Sequence, residues 1–236
     1  MKLIEKHNYY YSKKARHIYL LIAVVLFGCL ANNAYFCFCS LALPSQQYIK
    51  ILSYTMFLLF AIVLYIYCLI LNTTNDKKDI YFGLSIACLG VAMFSVTSLT
   101  YYMGNGAYYY IYLYEAIYSF TSLSSYYLYW LFHVEYLGHS KKTKLLTTIF
   151  MVTIIIYAFI YFLNYKYQTI FYINSNYQIE YVLDFDYIIF TILVLLYFYS
   201  VLTSNAISKI KLTLLSFSFS LVLYTVFTLF LIPYDS

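Results

Sequence analysis

The sequence is poor in charge and in residues that break helices. Only 10% of its 236 residues are charged, and the whole chain has two prolines and six glycines. Soluble domains carry roughly 25% charged residues, so the composition excludes an ordinary soluble enzyme or nucleic-acid-binding domain. Pro44 and Pro233 both lie outside the long apolar runs. The absence of proline from those runs disfavours transporters that are built on discontinuous helices.

The residues of the common catalytic and metal sites are also missing. The five cysteines are odd in number and contain no CxxC pair, which predicts buried free thiols without a disulfide framework or a zinc site. The four histidines lie at or near predicted cytoplasmic ends, which disfavours an internal haem. No GxSxG, HExxH or phosphate-loop motif occurs. We therefore predict no enzyme activity, no cofactor and no bound metal.

Apolar residues make up 64% of the chain and recur in runs of about 20, the length that crosses a bilayer as a helix. The sequence predicts an all-α, polytopic transmembrane helical bundle that forms one integral membrane domain over residues 1–236. The lipid bilayer is its principal partner, and no nucleic acid is expected. The predicted seven spans are residues 17–41, 48–71, 80–103, 108–136, 145–163, 187–203 and 212–232.

Lys and Arg are concentrated on alternate connections between these spans, and cytoplasmic loops carry an excess of both residues. Only Lys50 and Lys166 lie on the opposite side. The pattern predicts a multi-pass cell-membrane protein with a cytoplasmic basic tail (1–16) and an outer carboxyl terminus. In an alternative reading, a lipoprotein-like box ending at Cys29 leads to removal of residues 1–28 and leaves six spans. The other basic residues are Lys2, Lys6, Lys13, Lys14, Arg16, Lys77, Lys78, Lys141, Lys142, Lys144, Lys209 and Lys211.

The longest connection, residues 164–186, has two runs rich in β-branched and aromatic residues. TIFYI and YQIEYV flank the turn-forming sequence NSN. This pattern predicts a short β-hairpin on the outer side of the membrane, where it either contacts a ligand or covers the helix ends.

Glu115 is the one carboxylate well inside a predicted span, and ionisable groups there are costly enough to indicate function. It either senses a ligand or a proton, or it is a satisfied carboxylate near the outer headgroups. Asn32 and Asn33 lie in the outer part of span one, where amides join helices or contact a substrate. Asp184 and Asp186 begin span six, where their carboxylates either interact favourably with the helix dipole or bind a cation. The predicted ligand-binding set is Glu115, Tyr112, Tyr118, Asn32, Asn33, Asp184 and Asp186.

The segment YEAIYSFTSLSSYYLYWLFHVEYLG is followed by the basic turn GHSKKTK, a span, the loop NYKYQTIFYINSNYQIEYV, another span and the short basic loop SNAISKIK. Over residues 48–232, this order of features resembles the multi-helix membrane sensor regions that precede histidine kinase or diguanylate cyclase domains in bacteria. The resemblance implies a sensor or receptor-like bundle. It further implies a homodimer or a signalling partner, and a small-molecule ligand of unknown identity.

Two departures from that family leave alternatives open. The chain lacks the proline that is common in the corresponding span, and the sequence given ends after span seven, where the family adds a further span and a cytoplasmic output domain. The chain is thus expected to be either the truncated input module of a signalling protein or a free-standing bundle. Alternative functions are a small-solute transporter or channel subunit, or a non-catalytic subunit of a membrane complex.

Overall fold

A computed structural model describes residues 2–42, 45–71, 77–105, 107–137, 141–168, 170–175 and 179–181, together with the single positions 192, 195, 198, 199 and 202. Five long helices account for most of these residues. They are α1 (Lys2–Cys39), α2 (Ser45–Leu71), α3 (Lys77–Asn105), α4 (Tyr108–Leu137) and α5 (Lys141–Tyr167), with a 3-10 turn at Ser40–Ala42 and the strands β1 (Phe171–Ile173) and β2 (Ile179–Tyr181).

Four of these helices contain a segment long and apolar enough to cross a membrane: His17–Cys39, Gln47–Cys68, Ile80–Asn105 and Thr143–Tyr161. They coincide with predicted spans one, two, three and five. This result is compatible with a membrane helical protein, but it supports four spans where the sequence predicts seven. Most of the predicted sixth span and all of the seventh lie outside the described residues, although positions 192, 195, 198, 199 and 202 are helical.

The predicted fourth span is the continuous helix α4, which is not among the four apolar segments. Its 30 residues give a length of about 45 Å at 1.5 Å per residue, which exceeds the thickness of a bilayer core. Its composition explains the difference, because tyrosine and serine alternate with the apolar residues and add hydroxyl groups. Glu115 and His133 lower the mean hydropathy further. Helix formation in α4 is therefore confirmed, whereas its crossing of a membrane stays a prediction.

Helices α1, α2 and α3 pack against one another. Leu26 of α1 and Leu58 of α2 are fully buried, and both meet α3 at Gly90. A Cβ atom at Gly90 would lie 3.0 Å from Leu26 Cδ2 and 3.4 Å from Leu58 Cδ1, so glycine allows this close approach. Gly83, two turns earlier, has only ordinary contacts at 3.7 Å or more. The three helices thus approach one another closely at Gly90.

Helices α1, α2 and α5 each expose an apolar face. A water-soluble protein rarely exposes contiguous apolar surface on this scale. Such a surface is expected where acyl chains replace water as the solvent. Its exposed members include Leu21, Val24, Phe27, Tyr35, Phe38, Ile49, Met56, Phe57, Phe60, Val63, Leu145, Ile155 and Phe159.

The chain divides into two compact units, Met1–Tyr129 with Ile173–Gln178, and Trp130–Tyr172 with Ile179–Ser236. In the second unit the end of α4 packs on the beginning of α5. The indole Nε1 of Trp130, a buried residue, donates a hydrogen bond to Thr147 Oγ1 at 3.0 Å. The Trp130 ring also stacks on Phe150, with ring centroids 5.4 Å apart. The Trp130 side chain therefore satisfies its own N–H group and also fills the contact between α4 and α5.

Asn164 holds the chain where it leaves α5. Its Oδ1 accepts hydrogen bonds from the backbone N–H groups of Ile170 and Phe171 at 2.7 and 3.4 Å, and its Nδ2 donates to the carbonyl oxygen of Phe171 at 3.1 Å. Gln168, which lies between Asn164 and Ile170 in the sequence, adopts a φ of 50°. Its N–H donates to the Asn164 carbonyl oxygen at 2.8 Å. These bonds end the helix and direct the chain into β1.

Strands β1 and β2 form a small two-stranded sheet within the runs TIFYI and YQIEYV. The hydroxyl of Tyr172 in β1 donates a hydrogen bond to the Glu180 carboxylate in β2. The predicted strand positions are therefore confirmed. The larger expectation of a hairpin on the outer side of a membrane, covering the helix ends, stays a prediction.

Candidate functional site

The first unit contains a group of buried polar side chains near the carboxyl-terminal ends of α1 and α3 and the amino-terminal part of α4. We term this group the polar layer. Asn33, Thr97 and Ser98 are 0% exposed, and Glu115 is 1% exposed. Burial of polar groups is costly unless each of them is hydrogen-bonded. Its buried members are Asn33 of α1, Ser95, Thr97 and Ser98 of α3, and Glu115 and Ser119 of α4, and the half-buried Tyr114 of α4 completes it.

Asn33 and Thr97 join α1 to α3. Asn33 Nδ2 donates a hydrogen bond to Thr97 Oγ1 at 3.1 Å, and Thr97 Oγ1 donates to the Met93 carbonyl oxygen at 2.9 Å. Because its one proton is used at Met93, the threonine hydroxyl can only accept from the amide, which fixes the orientation of Asn33. The amide oxygen Oδ1 of Asn33 is buried and has no hydrogen-bond partner.

Tyr114 and Ser98 form the contact between α4 and α3 at this height. The Tyr114 side chain interacts with the Ser98 hydroxyl, and Ser98 Oγ donates a hydrogen bond to the Phe94 carbonyl oxygen at 2.9 Å. Tyr114 also interacts electrostatically with Cys29 of α1, which lies one helical turn from Asn33. The three helices therefore meet at the polar layer.

Stacked aromatic rings lie beside the polar layer, towards the ends of α1 and α3. Phe36 stacks on Tyr101 with ring centroids 4.4 Å apart. Tyr102 stacks on Tyr110 at 4.6 Å and on Tyr114 at 5.5 Å. We term these five residues the aromatic cluster. Since they come from α1, α3 and α4, they hold the same three helices as the polar layer does.

A second polar contact links α3 and α4 further from the aromatic cluster. Ser85 and Ser125, both buried, bind each other through hydroxyl and carbonyl groups. Ser85 precedes Thr97 by 12 positions, or about 18 Å of helix. Helices α3 and α4 therefore contact each other through polar side chains at two well-separated heights.

The structure brings some of the predicted site residues into this region and leaves others apart. Glu115 and Asn33 belong to the polar layer, whereas Asn32, Tyr112 and Tyr118 are only half-buried. Glu115, Tyr112 and Tyr118 each take part in a polar, electrostatic or ring interaction. Asp184 and Asp186 lie outside the described residues. Glu115 is thus enclosed by protein, and its position near the outer headgroups stays a prediction.

Thr97, Ser98 and the rings of Phe36 and Tyr102 were not predicted as site residues. The run SVTSLT at residues 95–100 is the sequence signal for the hydroxyl groups. Three of those hydroxyl groups face inward, at Ser95, Thr97 and Ser98. Single hydroxyl residues are common in membrane helices, so only their partners on α1 and α4 distinguish them from ordinary packing residues.

The side chains of the polar layer and the rings beside it offer oxygen atoms and aromatic faces to a ligand. They do not offer the histidine nitrogen or cysteine thiolate groups that bind transition metals. Among the described residues, no three His, Cys, Asp or Glu side chains form a group suited to a metal ion. All five cysteines, which lie in described helices, are free thiols. The arrangement can bind polar groups by hydrogen bonds. No protein-family model, no curated protein and no solved structure matches the chain.

Proposed function

We propose that the chain is a multi-pass membrane protein of the receptor type, which detects a chemical signal at the polar layer and converts it into a change in helix packing. The observation that carries this proposal is the burial of Asn33 and Glu115, at 0% and 1% exposure, on two helices that both contact α3. Polar and ionisable groups inside a membrane bundle are costly and generally mark functional sites.

Membrane insertion and orientation are parts of this proposal. Four helices are apolar enough to span a bilayer, and their outward faces expose large apolar side chains. The concentration of lysine on alternate connections supports a cytoplasmic amino terminus. In that orientation the polar layer and the aromatic cluster lie in the outer half of the membrane, where a solute from outside reaches them first.

The arrangement of hydrogen bonds supports a signalling role. Asn33, Thr97, Ser98 and Tyr114 connect three helices at one height, so a ligand that contacts any of them competes with contacts that hold the bundle together. Ser85 and Ser125 join α3 and α4 at the other height. We expect the helix ends beside the aromatic cluster to separate while the serine contact acts as a pivot. An output domain, such as a kinase or a cyclase, would receive this movement.

Distance measurements between spin labels test the proposal. In a variant whose native cysteines are replaced, one label is placed at Ala31 in α1 and a second at Leu113 in α4, both of which are exposed. A control pair is placed at Val25 and Phe57, beside the tight contact of α1 with α2. In lipid nanodiscs, steps of outer pH and a panel of small polar solutes are applied.

The proposal predicts that at least one stimulus changes the distance between positions 31 and 113 by about 2 Å or more, as expected for helix shifts, while the control distance is constant. A distance between positions 31 and 113 that is identical under every stimulus would contradict it. A parallel change in both pairs would also contradict it, because a general loosening of the bundle is not a signal.

Solute transport is a second candidate function. It is favoured by the buried hydroxyl groups of Ser85 and Ser125, which extend the polar groups of α3 and α4 beyond the polar layer. A transporter requires such groups along its path. Saturable solute flux into proteoliposomes, abolished by Glu115→Gln, would establish transport in place of the receptor role.

A further inference from the structure

The hydrogen bonds around Asn33 do not use its amide oxygen. One amide N–H of Asn33 donates to Thr97 Oγ1, and Thr97 Oγ1 donates to the Met93 carbonyl oxygen. Likewise, Ser98 Oγ donates to the Phe94 carbonyl oxygen. The amide oxygen of Asn33 remains as a buried acceptor without a donor. An unsatisfied buried carbonyl oxygen is rare in folded proteins and calls for a water, an ion or a ligand.

We propose that Asn33 Oδ1 is the anchoring acceptor of a binding site for a small primary ammonium ion, which donates a hydrogen bond to it. This inference rests on the proposed function, since it names the class of chemical signal that the polar layer binds. The occupant is small because Asn33 is completely enclosed. It is a donor because an amide oxygen can only accept a hydrogen bond.

The charge of the surroundings favours a cation over a neutral alcohol or water. Residues 18–39, 80–105 and 107–132, which form the layer and its flanks, contain no Lys, Arg or His. They contain the carboxyl group of Glu115, one residue from Tyr114, and it is buried. The ring faces of Tyr102 and Tyr114 lie beside the layer. Carboxyl groups and ring faces both attract a cation in surroundings that exclude water.

Thermal unfolding of the full chain in lipid nanodiscs tests this site, with methylammonium chloride as the probe. Tetramethylammonium chloride and sodium chloride are applied at the same ionic strength. Tetramethylammonium has the charge but no N–H group to donate, and sodium is a cation that binds by coordination. We expect methylammonium to raise the unfolding midpoint in a saturable manner by at least about 2 °C, since a ligand that binds only the folded state stabilises it.

Substitutions at Asn33 test whether the methylammonium shift arises at this site. Asn33→Leu removes the acceptor and should abolish the methylammonium shift. Thr100→Val is the control, because Thr100 lies outside the polar layer and its hydroxyl donates to the Val96 carbonyl oxygen of its own helix, so the shift should persist. If Asn33→Leu does not fold, Asn33→Asp replaces it, because a carboxylate oxygen at this position should lower the methylammonium concentration needed for half the shift.

Other outcomes overturn the inference. Equal shifts with tetramethylammonium or sodium would show that no hydrogen-bond donor is recognised, and no saturable shift would leave water as the occupant of the site. An unchanged shift in Asn33→Leu, or an unchanged half-saturation concentration in Asn33→Asp, would place binding elsewhere. Binding without a change in the distance between positions 31 and 113 would overturn the receptor proposal and leave this site intact. A change in that distance caused by another stimulus, without methylammonium binding, would overturn the ammonium site and leave the receptor proposal intact.

Discussion

Ser85 of α3 and Ser125 of α4 each donate a hydrogen bond to the other's backbone. Ser85 Oγ lies 2.9 Å from the carbonyl oxygen of Ser125, and Ser125 Oγ lies 2.8 Å from the carbonyl oxygen of Ser85. The two hydroxyl oxygens are 3.2 Å apart. Such an exchange requires the two backbones to approach closely, which small serine side chains permit. It therefore fixes both the separation and the register of the two helices.

A double-mutant cycle is expected to show that this pair acts as a unit. Ser85→Ala and Ser125→Ala should each destabilise the protein by about 0.6–1.7 kcal/mol, the range for interhelical hydrogen bonds in membranes. The double variant should lose less than the sum of the two, which reversible unfolding in mixed micelles would measure. Ser53→Ala is the control, because its hydroxyl is exposed and binds the Ile49 carbonyl oxygen of its own helix. Strict additivity would contradict the reciprocal contact.

The Asn33 to Thr97 bond is expected to stabilise the association of α1 with α3. Thr97→Val keeps the shape of the side chain but removes the acceptor, so we expect a loss of roughly 1 kcal/mol or more in the free energy of unfolding. Thr100→Val is the matched control, since Thr100 donates only to the Val96 carbonyl oxygen of its own helix, at 2.9 Å. Equal effects of the two substitutions would show that the interhelical bond contributes nothing.

The sequence predicted the helices better than it predicted the number of membrane spans. Runs of apolar residues predict helix whether or not a helix crosses a membrane, and the first five predicted spans are all helical. In α4, hydroxyl groups and Glu115 reduce the apolar character that indicates crossing. The strand positions were predicted because β-branched and aromatic residues flank the NSN turn. The predicted sheet is larger than the observed strands, which have three residues each.

The candidate site was predicted only in part, because its partners are distant in sequence. Glu115 and Asn33 stood out as a carboxylate and an amide in apolar runs. Thr97 lies 64 positions from Asn33, and nothing in the local pattern of either residue indicates the other. The same holds for Ser85 and Ser125, which are 40 positions apart. The sequence reveals polar residues whose burial in apolar runs is costly, whereas helix packing decides which groups those residues contact.

Asn164 is expected to be essential for the turn between α5 and β1. Asn164→Leu removes the acceptor of two backbone N–H groups in a buried position, and each unsatisfied group costs about 1–3 kcal/mol. We expect amide exchange at Ile170 and Phe171 to accelerate well above that of the helix interiors. Asn105→Leu is the control, since Asn105 is exposed and bonds only to the Tyr101 carbonyl oxygen. Unchanged protection of residues 170 and 171 in Asn164→Leu would contradict this role.

The Tyr172 hydroxyl is expected to give the small sheet a dependence on alkaline pH. Its hydrogen bond to the Glu180 carboxylate, together with the negative charge of that carboxylate, raises the pKa of Tyr172 above its ordinary value of 10.0. The folded chain therefore holds this proton more tightly than the unfolded chain does. The resulting stabilisation is complete below pH 10.0 and is lost as the pH rises through the raised pKa.

Titration of ring-labelled tyrosine by NMR measures this effect. Glu180→Gln should return the pKa of Tyr172 to its ordinary value, because a neutral amide does not disfavour the phenolate by charge. Tyr172→Phe identifies the signal and should remove the alkaline loss of protection in β1 and β2. If Tyr172 titrates identically in the wild type and in Glu180→Gln, the cross-strand bond is not present in solution.

The most direct test is the accessibility of the two ends of α3 across a cell membrane. In a variant without native cysteines, single cysteines at Lys78 and Asn105 are treated with a membrane-impermeant thiol reagent. We expect Asn105→Cys to react in intact cells and Lys78→Cys to react only after the membrane is opened. Reaction of both positions from the same side, or recovery of the chain in the soluble fraction, would contradict a membrane bundle with its polar layer in the outer half.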